Sequence, residues 1–546
     1  MKFIHTFWTG PSQLDKHDLI SMKAGWLSCE YHWMSWALSC LQAKKILGSI
    51  TLVTDLKGKE ILIDKLKLPY NEVSTALETK LDDYPQQLWA LAKIYTYSIQ
   101  KEPFLHLDAD VFFWKKPHAD LLSSPLIAQN LDVNLEIYRV ALNEINEQFA
   151  RIPSSFVKER YEHTNLYASN AGLLGGSELS FFKDYAIAAF GFINENKQYL
   201  HSVNTANLNF IFEQYLFCAL AAQKAIPVSY YKGPVNNPVF KDYIKFEDFP
   251  EIDMIHPVGG FKKYPHVCGH VAKKLRNDYP EYYYRIIEMV RDDGANMRSA
   301  VYTSPFLKLK ELQQLETEKP YLKEKKDFFE RTKAAIEYIN QKNNTGGKSY
   351  LSIEFSKIDF EEPVVVFNAD DNERLLDIYH LESEIEGFYN TLYINSENVI
   401  KLYSADKDAY RRIQQVFSLA EPDLMQIRIK VPEYFVSLNL FWDWKCNHKD
   451  EIIPVVTRNF NTEKSEWQVI LLPDILSKDI TTHYLDELDE LIFDLVKAPI
   501  SIENILAGMQ TFFSSEEITE NYNSFKSLII KSLKLMLYSG SITVIK

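Results

Sequence analysis

The chain has 546 residues, too many for one compact core, and at about 150 residues per domain it predicts roughly three or four domains. A content of 46% hydrophobic and 25% charged residues excludes wholesale disorder and low-complexity classes, and a net charge of −14 argues against nucleic acid as a partner. The five cysteines are scattered and odd in number, and neither a signal-peptide core nor a long apolar stretch is present. We therefore expect a cytoplasmic protein with reduced thiols and no membrane span.

The first hundred residues alternate short strands with helices. Apolar and β-branched runs predict strands at residues 2–7, 50–54, 70–75 and 103–107, and helical spacing predicts helices between them. Later segments, PLIAQN and YASNAGLLGG, predict further strands, and residues 177–195 and 207–224 predict helices. This βαβ alternation is typical of an α/β fold with an open, mostly parallel, Rossmann-like sheet, in which ligands bind beyond the carboxyl ends of the strands.

The composition changes after residue 300. Lys and Glu dominate residues 301–348, which predicts a charged helical connector and hinge. A new strand pattern from Tyr350 opens a smaller α/β domain at 349–482. Residues 483–546 predict three amphipathic helices and a closing strand, a winged-helix-like pattern. Acidic residues outnumber basic ones there, which favours a peptide or protein partner over DNA.

The strongest chemical signal is the D-x-D sequence Asp108-Ala109-Asp110, directly after the apolar run PFLHL. Two carboxylates on a tight turn can converge on one divalent ion, and Mg²⁺ or Mn²⁺ prefers such oxygen ligands. A solvated acidic turn is the simpler explanation of an isolated D-x-D. The position at the carboxyl end of a predicted parallel strand favours the metal site.

Several other residues have both a functional and an ordinary explanation. Glu213 and Gln214 interrupt an apolar helix. A polar pair there either has polar partners or faces a cavity, and the ordinary explanation is a position on the helix surface. Lys93 is expected on the face of its helix away from Leu88, where it reaches a phosphate or has an ordinary structural use. Asn170, Gly175 and Gly176 suit a close approach to a sugar ring, or a strand that ends in a turn. The other candidates are Trp8 and Asp55 at strand ends, a conceivable zinc site in a predicted strand at His266, Cys268 and His270, and the acidic pair Asp370 and Asp371, which helix capping explains more simply.

Four segments in the same order, over about residues 1–290, resemble nucleotide-sugar-dependent glycosyltransferases of the GT-A fold: LWALAKIYTYSIQKEPFLHLDADVFFW, SNAGLLGG, FEQ and IHPVGGFKK. The chain looks most like bacterial glycosyltransferase-like domains of unassigned substrate, distantly related to the retaining galactosyl and glucosyl transferases. The order of the motifs is more specific than any one of them. One departure is that similar families often follow the lysine with Pro-Trp, whereas this chain has Tyr264-Pro265 after Lys263.

The resemblance implies a role for each candidate residue. Asp108 and Asp110 would bind Mn²⁺ or Mg²⁺ and the diphosphate, with His256 as third metal ligand. Lys262 or Lys263, after Gly259 and Gly260, would meet the β-phosphate, and the loop register leaves the choice open. The remaining assignments are Glu213 or Gln214 near the anomeric carbon, Trp8 and Asp55 at the base and ribose, and Lys93, Asn170, Gly175 and Gly176 along the sugar and phosphates.

The function implied by the resemblance is transfer of a hexose from a nucleotide sugar, with UDP as the expected nucleotide and retention as the expected outcome. The last 63 residues look similar to small leader-peptide recognition domains of enzymes that modify ribosomally made peptides, which favours a peptide or protein acceptor. The alternatives are a degenerate binding or regulatory protein and a metal-dependent phosphoesterase. For the phosphoesterase, a two-metal site needs more carboxylates than this sequence shows.

Overall fold

The computed structural model describes residues 1–13, 19–158, 164–237, 253–300, 326–345, 369–393, 396–446, 451–512 and 515–545. The chain divides into two compact units. The first comprises Met1–Phe246, Glu251–Lys262 and Lys274–Asn296, and the second comprises Glu247–Pro250, Lys263–Lys273 and Met297–Lys546. The strand predicted from Tyr350 and most of the predicted connector lie outside the described residues.

The first unit is built on a mixed, mostly parallel sheet, which confirms the coarse α/β prediction. The strands of this unit are β1 Lys2–Phe7, β2 Thr51–Thr54, β3 Glu72–Ser74, β4 Phe104–Leu107, β5 Phe112–Phe113, β6 Leu126–Ala128, β7 Leu131–Val133, β8 Tyr167–Ser169, β9 Leu173–Gly176, β10 Val228–Tyr230 and β11 Met254–Ile255. Seven of them pair in the order β10-β6-β9-β4-β1-β2-β3, and only β9 runs antiparallel to its neighbours. Every residue of β2, β4 and β9 is buried, as expected where helices cover both faces of a sheet.

Helices pack on this sheet through their apolar faces. The main helical segments of the unit are Cys29–Leu47, Leu56–Lys59 with a π-helical turn Glu60–Lys65, Ala90–Ser98, Ala119–Leu122, Glu136–Gln148, Leu179–Glu195, Thr205–Phe210, a π-helical turn Ile211–Tyr215, Leu216–Gln223 and Pro280–Asp292. In the core, Tyr97 stacks on Phe104 of β4, and Phe182 packs against the same ring in a tilted arrangement. The helix Ala90–Ser98 is therefore buried around most of its circumference and not only along the predicted stripe.

The strand order places a topological switch at the centre of the sheet. From β1 the chain proceeds to β2 and β3 on one side and then returns to β4 on the other side of β1. Such a reversal opens a crevice beyond the carboxyl ends of the two central strands. Asp108 is the first residue after β4, so the D-x-D turn lies at this crevice.

The strand predicted for HVCGH is wrong, because these residues belong to the helix Pro265–Asp278. Val267, Val271 and Leu275 are buried at intervals of four residues, which is the helical period. The apparent alternation of HVCGH spans too few residues to compete with this longer pattern. Pro265 is favourable at a helix start, where its missing amide hydrogen has no partner to lose.

The second unit combines two small antiparallel sheets with helices. Its strands are β12 Arg428–Lys430, β13 Val436–Leu440, β14 Trp467–Asp474, β15 Asp479–Tyr484, β16 Ile500–Ser501 and β17 Thr543–Val544, which pair as β16-β12-β17 and β13-β14-β15. Its helices are Glu330–Thr345, Ala369–Tyr393, Ser396–Val416, Glu421–Met425, Ile452–Asn459, Glu487–Leu495, Ile502–Gln510 and Ser515–Ser539. Asp370 and Asp371 lie in the first turn of their helix, as predicted.

The three helices and closing strand predicted for the last 63 residues are present, but their core extends beyond that segment. One hydrophobic cluster joins Ile413 and Ile429 to Ile492, Ile505 and Leu533. The central strand of the small sheet, β12, precedes residue 482 in the chain as well. The winged-helix assignment stays a prediction. No helix in the described part of the chain is both long and apolar enough to cross a membrane.

Candidate metal centre

The D-x-D turn is held rigidly at the end of β4. The Asp108 amide donates to the Gly172 carbonyl at 2.9 Å, and the Val111 amide closes the turn onto the Asp108 carbonyl at 3.0 Å. From the helix Cys29–Leu47, the Ser35 hydroxyl donates to the Ala109 carbonyl at 2.8 Å. Backbone and helix together fix the direction of both carboxylates, which is what a preorganised site requires.

A third ligand comes from a distant part of the sequence. Strand β11 pairs antiparallel with β5, so that Ile255 lies opposite Phe112 and His256 is brought beside the D-x-D turn. One ligand atom from each of Asp108, Asp110 and His256 lies within 4.8 Å of the others, so this group could hold a metal ion. The sequence-predicted metal ligands are therefore brought together.

The tautomer of His256 follows from its hydrogen bonds. Its Nδ1 lies 2.8 Å from Gln129 Oε1, which only accepts. The amide of Gln129 is oriented by its own Nε2, which donates to Asn130 Oδ1 at 3.2 Å. Nδ1 therefore carries a proton, and in the neutral ring the Nε2 lone pair faces Asp110 Oδ1 at 3.3 Å. That contact is favourable only with a proton or a metal ion between the two atoms.

Asp110 is buried and ion-paired. Lys262 Nζ lies in close contact with Asp110 Oδ2. Although burial opposes ionisation, Lys262 and His256 hold the pKa of Asp110 well below its usual range. Oδ2 is nevertheless without a well-formed hydrogen bond within the described residues, so the lysine contact rests on charge rather than on directed bonding.

A second, deeper ion-pair cluster joins Asp108 to the helices. Lys93 Nζ lies 2.7 Å from Asp108 Oδ1 and 2.6 Å from Glu213 Oε1. Burial raises the pKa of Glu213 to about 7, against the opposing effect of Lys93. Burial also disfavours the charged form of Lys93, but the combined effect of Asp108 and Glu213 is larger and raises the pKa of Lys93 above its usual value. Lys93 is thus buried and contacts carboxylates at this centre.

Glu213 and Gln214 lie in the π-helical turn Ile211–Tyr215, a local form that is frequent at functional sites. Glu213 is fully buried behind Lys93, and its Oε2 finds no hydrogen-bond partner in the described part of the chain. Gln214 is also buried, and its Oε1 lies 2.5 Å from the Tyr138 hydroxyl oxygen. Neither residue lies on the helix surface. In this conformation Glu213 reaches the centre through Lys93, not directly.

A polar network that sequence reasoning missed extends from His256 into the core. Beyond Gln129 and Asn130, the Asn130 amide donates to Asp132 at 2.7 Å, and the Tyr138 hydroxyl lies 2.6 Å from the second Asp132 oxygen. Burial raises the pKa of Asp132 to about 6, although these hydrogen bonds oppose it. The available signal was the polar run QNLD directly after the apolar strand β6.

Other predicted residues have local structural partners. Both Asp55 oxygens accept bonds from the chain itself, from the Thr9 amide and hydroxyl at 2.8 Å and from the Gly58 amide at 2.7 Å. Trp8 packs beside the core and against Gly10. Within the described residues, the metal-capable group of Asp108, Asp110 and His256 includes neither Trp8 nor Asp55.

The glycines divide between the sheet and the site. A Cβ at Gly175 would lie 2.1 Å from the Phe104 carbonyl oxygen, and one at Gly176 would lie 2.0 Å from the Pro125 carbonyl oxygen, so both permit close strand packing. Gly172, which the sequence did not single out, lies at the centre. A Cβ there would lie 2.3 Å from both Gln129 Oε1 and His256 Nδ1.

Asn170 shapes the loop before β9. Its side-chain oxygen accepts from the Gly172 amide at 3.0 Å, and its backbone amide donates to Asn130 at 3.0 Å. Asn170 therefore supports the Gly172 segment that contacts the D-x-D turn. It lies beside the polar network and not among the ligand atoms.

The lysine loop forms a short helical turn, Gly259–Lys263. Lys262 points to Asp110, whereas the Lys263 side chain is exposed, which distinguishes the two lysines that the sequence left open. Gly259 has a φ of 53°, a left-handed value that glycine adopts without strain. No metal-capable group among the described residues includes His266, Cys268 or His270.

Comparison with known proteins gives one family. A protein family described as "Family of unknown function (DUF6734)" matches residues 1–289, which is more than half of the chain and includes the whole ligand group. No curated protein matches the chain.

Proposed function

The chain belongs to the DUF6734 family of unknown function, and we propose that it is a metal-dependent glycosyltransferase of the GT-A type. It would move a hexose from a nucleotide sugar, with UDP as the favoured nucleotide, to a peptide or protein acceptor. The observation that carries the proposal is the convergence of Asp108, Asp110 and His256 at the carboxyl end of the central strand β4. This is the edge where open α/β sheets bind their ligands.

The donor atoms suit a divalent cation. Two carboxylates supply the oxygens that Mg²⁺ and Mn²⁺ prefer, and His256 offers a nitrogen whose other ring atom is fixed by Gln129. When bound, such an ion neutralises the charge that develops on a diphosphate leaving group. Asp110 Oδ2 is buried without a well-formed hydrogen bond within the described residues, and its charge contact is with Lys262, so this carboxylate is one that a cation can satisfy.

The charge balance of the centre is compatible with a bound cation. Asp108, Asp110 and Glu213 supply three negative charges when ionised, and Lys93 and Lys262 supply two positive ones. A proton on His256 or a metal cation would meet the negative charge that remains.

The chain's own residues would divide the remaining work. Lys93 holds Asp108 in one orientation from the rigid helix Ala90–Ser98, and Gln129 holds the imidazole of His256. Lys262 lies at the rim, where its ammonium can bind a phosphate oxygen by a charge-assisted hydrogen bond. Glu213 acts through Lys93 and adds negative charge behind the site.

Nucleotide-sugar turnover tests the donor half of the proposal. Purified full-length protein is incubated with Mn²⁺ and a panel of UDP- and GDP-sugars, and hydrolysis and thermal stabilisation are recorded. Asp110→Asn should abolish both responses, whereas Asp120→Asn, an exposed aspartate changed in the same way, should retain them. No response of the wild type to any donor would overturn the enzyme and favour the binding-protein alternative.

The peptide acceptor rests on the resemblance of the last 63 residues and on one surface feature. Leu528 and Leu535 are 50% and 43% exposed, seven residues apart on the helix Ser515–Ser539. Apolar side chains repeated at that spacing on one helix face suit a protein or peptide contact. Truncation at residue 482 would cut the shared core, so substitution is the better test.

The acceptor test compares two surface changes. Leu528→Asp with Leu535→Asp should reduce transfer to peptide acceptors while donor hydrolysis persists. Ile453→Asp, at a residue 71% exposed on the helix Ile452–Asn459, is the control and should leave peptide transfer unchanged. Equal transfer by all three proteins would remove the basis for a peptide site on this helix.

A further inference from the structure

Lys262 contacts a buried oxygen of Asp110 that lacks a directed hydrogen bond within the described residues. Asp110 uses Oδ1 toward His256 and Oδ2 toward Lys262. A cation held by Asp108, Asp110 and His256 would take an oxygen of this same carboxylate. The ammonium of Lys262 thus supplies the positive charge that this buried carboxylate needs.

We propose that the Lys262 ammonium competes with a metal ion for Asp110 and must leave this carboxylate before the metal binds tightly. We further propose that a diphosphate binds the ammonium and thereby releases Asp110. The inference rests on the proposed metal site and adds a regulatory role for one of its residues. Metal alone would bind weakly, and metal with a diphosphate would bind well.

The two lysines of the centre differ in their freedom to move. The Lys93 side chain is 8% exposed, sits inside a helix and contacts two carboxylates. The Lys262 side chain is 21% exposed, contacts Asp110 and follows Gly259 and Gly260. A Cβ on either glycine would meet no atom within 4 Å, so there is open space beside this turn.

The backbone of the turn is anchored to the first unit. The Lys262 carbonyl accepts from the Leu27 amide at 3.2 Å, which ties the turn to the rest of that unit. The ammonium can therefore move away from Asp110 by rotation of the four-carbon stem while the backbone stays in place. Side-chain rotamer changes at partly exposed positions are fast.

The coupling follows from mutual exclusion. Lys262 and a divalent cation compete for the same carboxylate, so each weakens the other's contact with Asp110. A diphosphate attracts the ammonium through charge-assisted hydrogen bonds and removes the competitor. Reciprocity then requires that the diphosphate strengthen metal binding, and that metal strengthen diphosphate binding.

The test measures Mn²⁺ affinity in the absence of any nucleotide, by electron paramagnetic resonance of free Mn²⁺ with the full chain. Lys262→Met removes the charge and keeps the length, and should bind Mn²⁺ about tenfold more tightly than wild type, equivalent to about 1.4 kcal/mol. Lys263→Met, the exposed neighbour in the same turn, is the matched control and should bind Mn²⁺ as wild type does. UDP without metal should bind Lys262→Met more weakly than wild type.

Each outcome has a distinct meaning. Equal Mn²⁺ affinity of wild type and Lys262→Met would overturn the competition. Equal tightening by Lys262→Met and Lys263→Met would also overturn it, because general surface charge would then explain the effect. If Asp110→Asn binds Mn²⁺ as wild type does, the metal site and the proposed function fail together, which separates that failure from failure of the lysine role alone.

Discussion

The buried ion pair of Lys93 and Glu213 makes the sharpest prediction about the fold of the centre. Lys93→Met keeps most of the side-chain volume and leaves the fully buried Glu213 without the ammonium 2.6 Å away. Removing one partner of a buried pair costs about 3–5 kcal/mol, because the remaining charge stays desolvated. For a domain of this size that corresponds to a fall in Tm of roughly 6–20 °C.

The assay is calorimetric unfolding of the full chain at pH 8, where Glu213 is ionised in wild type. Glu213→Gln keeps an oxygen that accepts from Lys93 and Tyr97, so its free energy of unfolding should fall by no more than about 1 kcal/mol. The double variant Lys93→Met with Glu213→Gln should recover about 2 kcal/mol of the loss in Lys93→Met, which is a coupling typical of contacting residues. A Tm of Lys93→Met within about 2 °C of wild type, which corresponds to a loss of about 1 kcal/mol or less, would refute the buried pair. Equal losses in the single and double variants would refute the coupling.

Three further changes probe the metal centre and its supports. Gln129→Leu removes the acceptor that fixes the His256 tautomer and should weaken Mn²⁺ binding about 10–100-fold in titration, with unfolding little changed. Gly172→Ala places a Cβ 2.3 Å from His256 Nδ1, so Mn²⁺ affinity should fall although no charge is altered; unchanged affinity would contradict the packing. The pKa of Glu213 in the folded protein is raised from 4.5 to about 7. The stabilisation that the protonated carboxyl gives to the folded state is therefore complete below pH 4.5 and is lost as the pH rises to about 7. Wild type should therefore lose Tm relative to Glu213→Gln across that range, and a constant difference in Tm would contradict the raised pKa.

Local sequence patterns predicted the first unit well, because its strands are short continuous apolar runs between helices. The runs KFIHTF, ITLVT and PFLHL each became a parallel strand. The position of Asp108 and Asp110 followed from the strand that precedes them. His256 was different, since only the resemblance, and not its local sequence, connected it with residues 146 positions earlier.

The surroundings of the ligands were beyond local reasoning, because they depend on how distant segments pack. Lys93 was expected on the helix face away from the buried stripe of Leu88, yet the helix that carries it is enclosed by the sheet and by other helices, and Lys93 itself is buried. Gln129 and Gly172 carry no recognisable motif, and only the approach of β9 to β4 and β6 brings them to His256. The same limit applies at residue 482, where a change of pattern in the sequence does not coincide with a change of core.

The arrangement around Asp110 favours a cation site over a structural cluster on the basis of unsatisfied groups. A structural ion pair is stable when each buried oxygen and nitrogen has a partner of suitable geometry. Here Asp110 Oδ2 has a charged neighbour but no well-formed hydrogen bond within the described residues, and a neutral His256 in its fixed tautomer directs a lone pair at the other oxygen. Both shortcomings disappear if one cation meets both residues. The strain that this leaves in the cation-free centre is the reason that Lys262, the more exposed of the two lysines, is the expected point of exchange.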